Sequence, residues 1–187
     1  MKIIFIYIHN IIYILLLICK SVYSREIIIK NDENFYNIKH ILNQNTYNNN
    51  IQLYFVDDYY DMSKVLDYSI DVMVLSNITL IGNEKGTEFD YKNGYRGAFS
   101  FTCLIGKGET IKFKNIIFKN YLAQNKVYGL KITSTSHNFF AIMDNCTFQN
   151  NNYPFVSLFF NYLMDIDVKP QVLFNKCKFL YVNKYKI

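Results

Sequence analysis

One octad recurs along the chain and limits what it can fold into. Residues 113–120 read Phe-Lys-Asn-Ile-Ile-Phe-Lys-Asn. Residues 143–150 read Met-Asp-Asn-Cys-Thr-Phe-Gln-Asn, and residues 174–181 read Phe-Asn-Lys-Cys-Lys-Phe-Leu-Tyr. An earlier copy lies at 75–82, Leu-Ser-Asn-Ile-Thr-Leu-Ile-Gly. The shared pattern is an apolar residue, a spacer, Asn (Lys176 in the last copy), then Ile or Cys, a spacer, and Phe or Leu. The copies recur at roughly 30-residue intervals, the first interval being longer, and such a period marks a stacked solenoid.

The chemistry inside the octad gives each copy a shape. Ile78 and Leu80, Ile116 and Phe118, Cys146 and Phe148, and Cys177 and Phe179 are apolar at alternate positions. A strand turns such a pair to one face. Upstream of the Asn the apolar phase is wrong for the same strand to continue, since Phe113 and Ile116 are three apart. A sharp bend at Asn115 restores the phase, and Asn tolerates the left-handed conformation that such a bend needs. Strand, corner and strand, stacked on the same corner one turn later, form a rung of a parallel β-helix. Rungs lie about 4.8 Å apart, so the alignment stacks Leu80, Phe118, Phe148 and Phe179 in one core column.

The rest of the chain fits an all-β reading. Strands are expected over 26–30, 51–56, 72–75, 78–81, 87–91, 98–104, 110–118, 127–133, 139–148, 155–160 and 172–181. Asn31-Asp32-Glu33 looks like a helix cap, followed by Phe35, Ile38, Ile41 and Leu42 at helical spacing. This helix is expected to cover the first rung, whose apolar residues would otherwise be bare; a partner-binding helix is the alternative. Three units result: a signal peptide at 1–24, a strand and capping helix at 25–50, and a β-helix of about four rungs at 51–187. The chain stops soon after its last repeat. That leaves no room for a C-terminal cap, suggests a fragment, and exposes an edge suited to self-association.

The first 24 residues have the layout of a secretory signal. Lys2 is a basic start, Ile11–Cys19 an apolar run, and Val22 and Ser24 are small enough to precede a cut before Arg25. The alternative is an uncleaved anchor, but His9-Asn10 leaves an apolar run shorter than the roughly 20 residues of a span. A secreted, extracellular product with no membrane contact after cleavage is the expectation. The net charge of +5 is spread singly along the chain, which argues against a nucleic-acid partner.

At Asp144-Asn145-Cys146-Thr147-Phe148 and its partners the chain resembles the right-handed parallel β-helix of the pectin-lyase-like superfamily. Residues 55–62 (Phe-Val-Asp-Asp-Tyr-Tyr-Asp-Met) with 75–83 are similar to secreted β-helix proteins of anaerobic gut fungi. The resemblance runs from about Arg25 to the end. It implies an internal ladder of corner amides at Asn77, Asn115 and Asn145, which Lys176 breaks, leaving that corner exposed or irregular. It also brings the expectation of an extracellular interaction module that contacts plant-wall polysaccharide or cell-surface components. A small or truncated polysaccharide lyase or hydrolase is the alternative.

Candidate chemistry is thin. Asp57, Asp58, Tyr59, Tyr60 and Asp61 form the densest acidic and aromatic group and suit a sugar or a calcium ion; a solvated strand-end turn is the plain alternative. A lyase would need a strong base beside carboxylates, with calcium as its cofactor. Glu88, Asp90, Lys92 and Arg96 are the nearest approach to that set. The paired aspartates of polygalacturonase-type hydrolysis, a Ser-His-Asp group and a phosphate-cradling loop are not found. No cysteine pair has zinc-ligand spacing, and no metal or other cofactor is expected of a non-catalytic module. After signal removal Cys103, Cys146 and Cys177 remain. Cys146 and Cys177 would lie one rung apart, as two buried thiols or, less favourably, as a bridge. Asn77-Ile78-Thr79 and Asn145-Cys146-Thr147 match the glycosylation acceptor. An inward-facing ladder amide is a poor acceptor, so neither site is expected to be heavily used.

Overall fold

A computed structural model describes residues 24–47, 50–122, 127–136, 138–151, 154–160 and 171–180. The expected signal peptide, up to residue 23, therefore lies outside the described residues, as does Tyr181 at the end of the last octad.

Among the described residues, fifteen strands wind into three parallel sheets. The first sheet stacks β1 (Ser24–Ile29), β2 (Asn50–Phe55), β5 (Ile78–Ile81), β8 (Glu109–Lys114), β11 (Phe139–Asp144) and β14 (Val172–Asn175). The second stacks β3 (Tyr59–Asp61), β6 (Thr87–Gly94), β9 (Ile116–Tyr121), β12 (Thr147–Gln149) and β15 (Lys178–Leu180). The third stacks β4 (Ser69–Val74), β7 (Ala98–Cys103), β10 (Leu130–Ser134) and β13 (Val156–Phe160). From β2 to β13 each turn gives one strand to each sheet in succession. The molecule is thus a parallel β-solenoid of about five turns rather than four. The extra turn comes from β3, whose short Tyr-Tyr-Asp sequence reads as a turn but pairs with Glu88–Asp90 of β6.

Period-two alternation holds along several of the covered strands, while β6 departs from it where Phe89, Asp90 and Tyr91 are all buried. Buried and part-exposed residues alternate strictly along β2 and β11, and along β8 as far as the exposed Lys114. The inner face of the second sheet carries an aromatic column. Tyr60 pairs with Phe89, Phe89 with Phe118, Phe118 with Phe148, and Phe148 with Phe179. The last three rings stack face to face, at 5.4 Å and 5.0 Å between centroids. Leu80 does not belong to this column. It sits in the first sheet, beside Leu53 and Phe113. The octad at 75–82 resembles the others locally but occupies a different edge of the solenoid.

The corners follow the same division. Asn115 and Asn145 turn the chain from the first sheet to the second with φ of 57° and 53°. Lys176 makes the equivalent corner with φ 52° and is exposed, so the backbone stays regular where the amide is lost. Asn77 stands before a first-sheet strand and belongs to another ladder. Its backbone N–H donates to Asn50 Oδ1 at 3.1 Å, and its own Oδ1 accepts from the Thr110 N–H at 2.8 Å. The Asn115–Asn145 pair is joined by Asn145 Nδ2 donating to Asn115 Oδ1 at 2.9 Å. It runs along the outside of the solenoid, because Asn145 is exposed and Asn115 only half-buried. A third series, not read from the sequence, lies five residues on. Asn120 and Asn150 also adopt positive φ, and Asn150 Nδ2 donates to Asn120 Oδ1 at 3.4 Å.

At the N-terminal end a 3-10 turn (Phe35–Asn37) leads into the short helix α1 (Ile38–Asn45). Helical structure therefore begins later than the Asn31 cap suggests. The intervening residues form turns, in which the Lys30 N–H donates to Asn34 Oδ1. Phe35, Ile38 and Leu42 are fully buried. The Phe35 ring lies 4.7 Å from that of Tyr60, at the N-terminal end of the aromatic column. At the opposite end Phe179 is 65% exposed.

Candidate functional site

The acidic-aromatic group at 57–61 is taken up by the fold. Asp57 Oδ2 accepts from the Asn31 N–H at 2.7 Å, and Asp58 Oδ1 accepts from Asn83 Nδ2 at 2.5 Å. Asp61 Oδ1 accepts from both the N–H and the hydroxyl of Ser63, capping a 3-10 turn (Met62–Lys64). Tyr60 is fully buried and donates to the Ile29 carbonyl at 2.6 Å. Tyr59 alone has an outward role, donating to Asp90 Oδ2 at 3.3 Å. Calcium needs several oxygens turned on one point. These carboxylates instead bond to separate neighbours, and among the described residues no group of three His, Cys, Asp or Glu gathers as a metal site.

The second candidate set divides. Glu88, Asp90 and Lys92 come together on the outer face of β6 around Tyr59. They are joined there by Lys119, whose ammonium is 2.5 Å from Glu88 Oε2. Arg96 is elsewhere. Its Nη1 donates to the carbonyls of Val65 at 3.1 Å and Leu66 at 2.7 Å. Asp90 is almost fully buried. Burial alone would raise its pKa. The hydrogen bonds from Asn120 and the Lys92 N–H, with the Lys92 ammonium, outweigh that and lower it. A carboxyl with a lowered folded-state pKa stabilises the fold above its unfolded value, and the contribution is lost as pH falls below about 4. Asp90→Asn is therefore expected to destabilise the protein at pH 7. Its deficit against the parent should shrink when denaturation is repeated near pH 3.

The cysteines are poor nucleophiles. Burial pushes the Cys103 and Cys146 thiols up to about 12, so both stay protonated near neutrality. Cys177 is half-buried, and all three are free thiols.

The outer face of the third sheet offers a surface that the sequence reading passed over. Tyr68 precedes β4 and Tyr95 lies in the turn before β7. Their rings stack at 5.8 Å with an interplanar angle of 21°. The Arg96 guanidinium lies 3.9 Å from the Tyr68 ring centroid, anchored by its bonds to the Val65 and Leu66 carbonyls. Tyr68 nevertheless stays 60% exposed. The Tyr68 carbonyl accepts from the Gly97 and Ala98 N–H groups, tying the two corners together. Beside this platform a cleft of about 290 Å3 is lined by Ser69, Asp71, Ser100, Val127, Tyr128 and Lys131. Asp71, Ser100 and Lys131 are successive register partners. They present an acid, a hydroxyl and an ammonium in a row stepped at about 4.8 Å. Two tyrosines ahead of strands with polar residues at alternate positions were the available signal. Only the winding brings them to one edge.

A larger hollow of about 370 Å3 lies at the C-terminal end and is lined largely by rings, including Phe148, Phe155, Phe174 and Phe179. It lies at the end of the described aromatic column, and none of the described residues lining it is titratable.

Fold and surface together define a parallel β-solenoid with an aromatic and polar strip along one outer sheet. No family model, curated protein or solved structure matches the chain. No helix among the described residues is long and apolar enough to cross a membrane.

Proposed function

We propose that this protein is a secreted, non-catalytic β-helix module of pectin-lyase-like type that binds polysaccharide, plant cell wall being the favoured source. The observation that carries the reading is the exposed Tyr68–Tyr95 platform beside the polar cleft. A sugar ring pairs an apolar face with peripheral hydroxyls. Flat tyrosine rings receive the former, while Ser69, Asp71, Ser100 and Lys131 offer hydrogen bonds to the latter. Repetition along the solenoid axis suits an extended, repeating ligand. Arg96 supports the platform through cation–π contact and backbone bonds, which keeps the ring oriented before binding.

The test is a pull-down and calorimetric titration on pectin, xylan and cellulose. Tyr68→Ala is expected to weaken binding about tenfold, the loss of roughly 1.4 kcal/mol. Tyr47→Ala, at a separate and highly exposed tyrosine, should leave it unchanged. Equal affinity of the Tyr68 variant and the parent would overturn the assignment of this surface.

A second reading, a small lyase or hydrolase, draws on the convergence of Glu88, Asp90, Lys92 and Lys119. Calcium-dependent release of unsaturated uronate from pectin, abolished in Glu88→Gln, would replace the non-catalytic reading with this one.

A further inference from the structure

We infer that Asn145 is an N-glycosylation site and that Asn77, the other acceptor motif in the chain, is not. The inference rests on the reading that the chain enters the secretory lumen.

Both motifs have the same local form, and the winding separates them. Asn145 occupies the exposed corner between β11 and β12, with φ 53°. Its amide nitrogen carries two hydrogens. One bonds to Asn115 Oδ1 on the preceding turn. On the following turn the equivalent corner is the exposed Lys176, which has no amide to continue the ladder. The acceptor's Thr147 stands on the outward face of β12, between Ile117 and Lys178. A glycan can thus replace the second amide hydrogen while the Asn145–Asn115 bond persists. Asn77 is half-buried at the start of β5, with its Oδ1 held by the Thr110 N–H and its backbone N–H held by Asn50. Both corners are bonded to the turns on either side, since the Asn145 N–H donates to the Asn175 carbonyl. A glycan at Asn77, however, would have to leave from a half-buried amide group whose oxygen is already held by the next turn, whereas the Asn145 side chain is exposed.

The chemistry is group transfer from a lipid-linked oligosaccharide diphosphate. The Nδ2–C1 bond forms, the C1–O bond to the diphosphate breaks, the lipid diphosphate leaves, and the amide proton passes to solvent through the lumenal transferase.

The full chain is translated with microsomes, and protease protection reports entry. Glycosidase digestion and peptide mass spectrometry report occupancy. The expected result is a protected chain with one glycan. That glycan should be lost in Asn145→Gln and in Thr147→Ala, kept in Thr147→Ser, and kept in Asn77→Gln. Thr147→Ala leaves the Asn ladder intact, so loss there cannot be laid to a broken corner. A protected chain without a glycan, or with one at Asn77, overturns the inference. An unprotected chain overturns it through failure of the secretion reading, a result that protease alone distinguishes.

Discussion

Phe118→Ala is expected to lower the free energy of unfolding by about 3–5 kcal/mol, the range for emptying a fully buried Phe site. Phe118 has no exposed surface. Its ring lies 5.8 Å from Phe89, 5.5 Å from Phe113, 5.4 Å from Phe148 and 5.0 Å from Phe155. These neighbours come from the first and second sheets, from the residue just before β13, and from the turns on either side. Parallel strands fixed by backbone hydrogen bonds cannot close in around the missing ring, so the site should behave as a cavity rather than collapse. The companion change Phe179→Ala, at the exposed end of the same column, is expected to cost less than about 1 kcal/mol. Chemical denaturation of the two variants measures the gradient. Equal losses would show that the column is not filled from the middle outward.

Gly82→Ala should be nearly as damaging for the opposite reason. A Cβ at Gly82 would lie 2.2 Å from the Asn115 carbonyl oxygen and 2.8 Å from Thr87 Cβ. The first obstacle is backbone of the next turn and cannot rotate away. It is also engaged, since the Gly82 N–H donates to the Lys114 carbonyl at 2.8 Å and the Thr87 N–H to the Asn115 carbonyl at 2.9 Å. Adding one methyl therefore pushes two turns apart and strains both bonds. Overpacking of this kind costs about 1–3 kcal/mol and occasionally more, and here the upper end is expected. Gly94→Ala, where the nearest atom to an added Cβ is 3.2 Å away, should cost clearly less. The difference in denaturation midpoint between the two alanine variants is the measurement.

Much of the local structure was legible. Alternation of apolar residues through Ile116–Phe118 and Cys146–Phe148 marked their inward faces, because a strand has only two faces. The phase break at Asn115 and Asn145 marked corners, because few residues accept φ near +55°. The corner amides at Asn120 and Asn150 were visible as the last residue of the same octads. They went unread because no apolar phase break flags them. β3 was hidden because Asp disfavours strands in isolation, and only pairing with β6 holds it extended.

The candidate site was less legible, for a physical reason. Arg96 looked like a partner for Glu88 and Asp90 because it is near them in sequence. Two positive-φ residues, Lys92 and Asn93, turn the chain between them, so Arg96 faces Tyr68 instead. The acidic group at 57–61 looked like a ligand site because its charges are close in sequence. Asp57 and Asp58 answer to donors on Asn31 and Asn83 that the winding supplies from elsewhere, and Asp61 caps its own 3-10 turn through Ser63.

By itself, then, the octad determined a strand, a bend, a strand, and which residues point inward. Those properties depend on side-chain alternation and on one residue's backbone freedom, and both are local. Which edge of the solenoid each octad occupies was decided only in three dimensions. Leu80 stands beside Phe113 and not Phe118, and Asn77 bonds to Asn50 and Thr110 and not to Asn115. Register across turns depends on loop lengths and on interstrand hydrogen bonds between residues about 30 apart, and no local pattern encodes those. The same winding put Asn145 outside and Asn77 half inside, and gathered Tyr68, Tyr95 and the polar row of the third sheet onto one face.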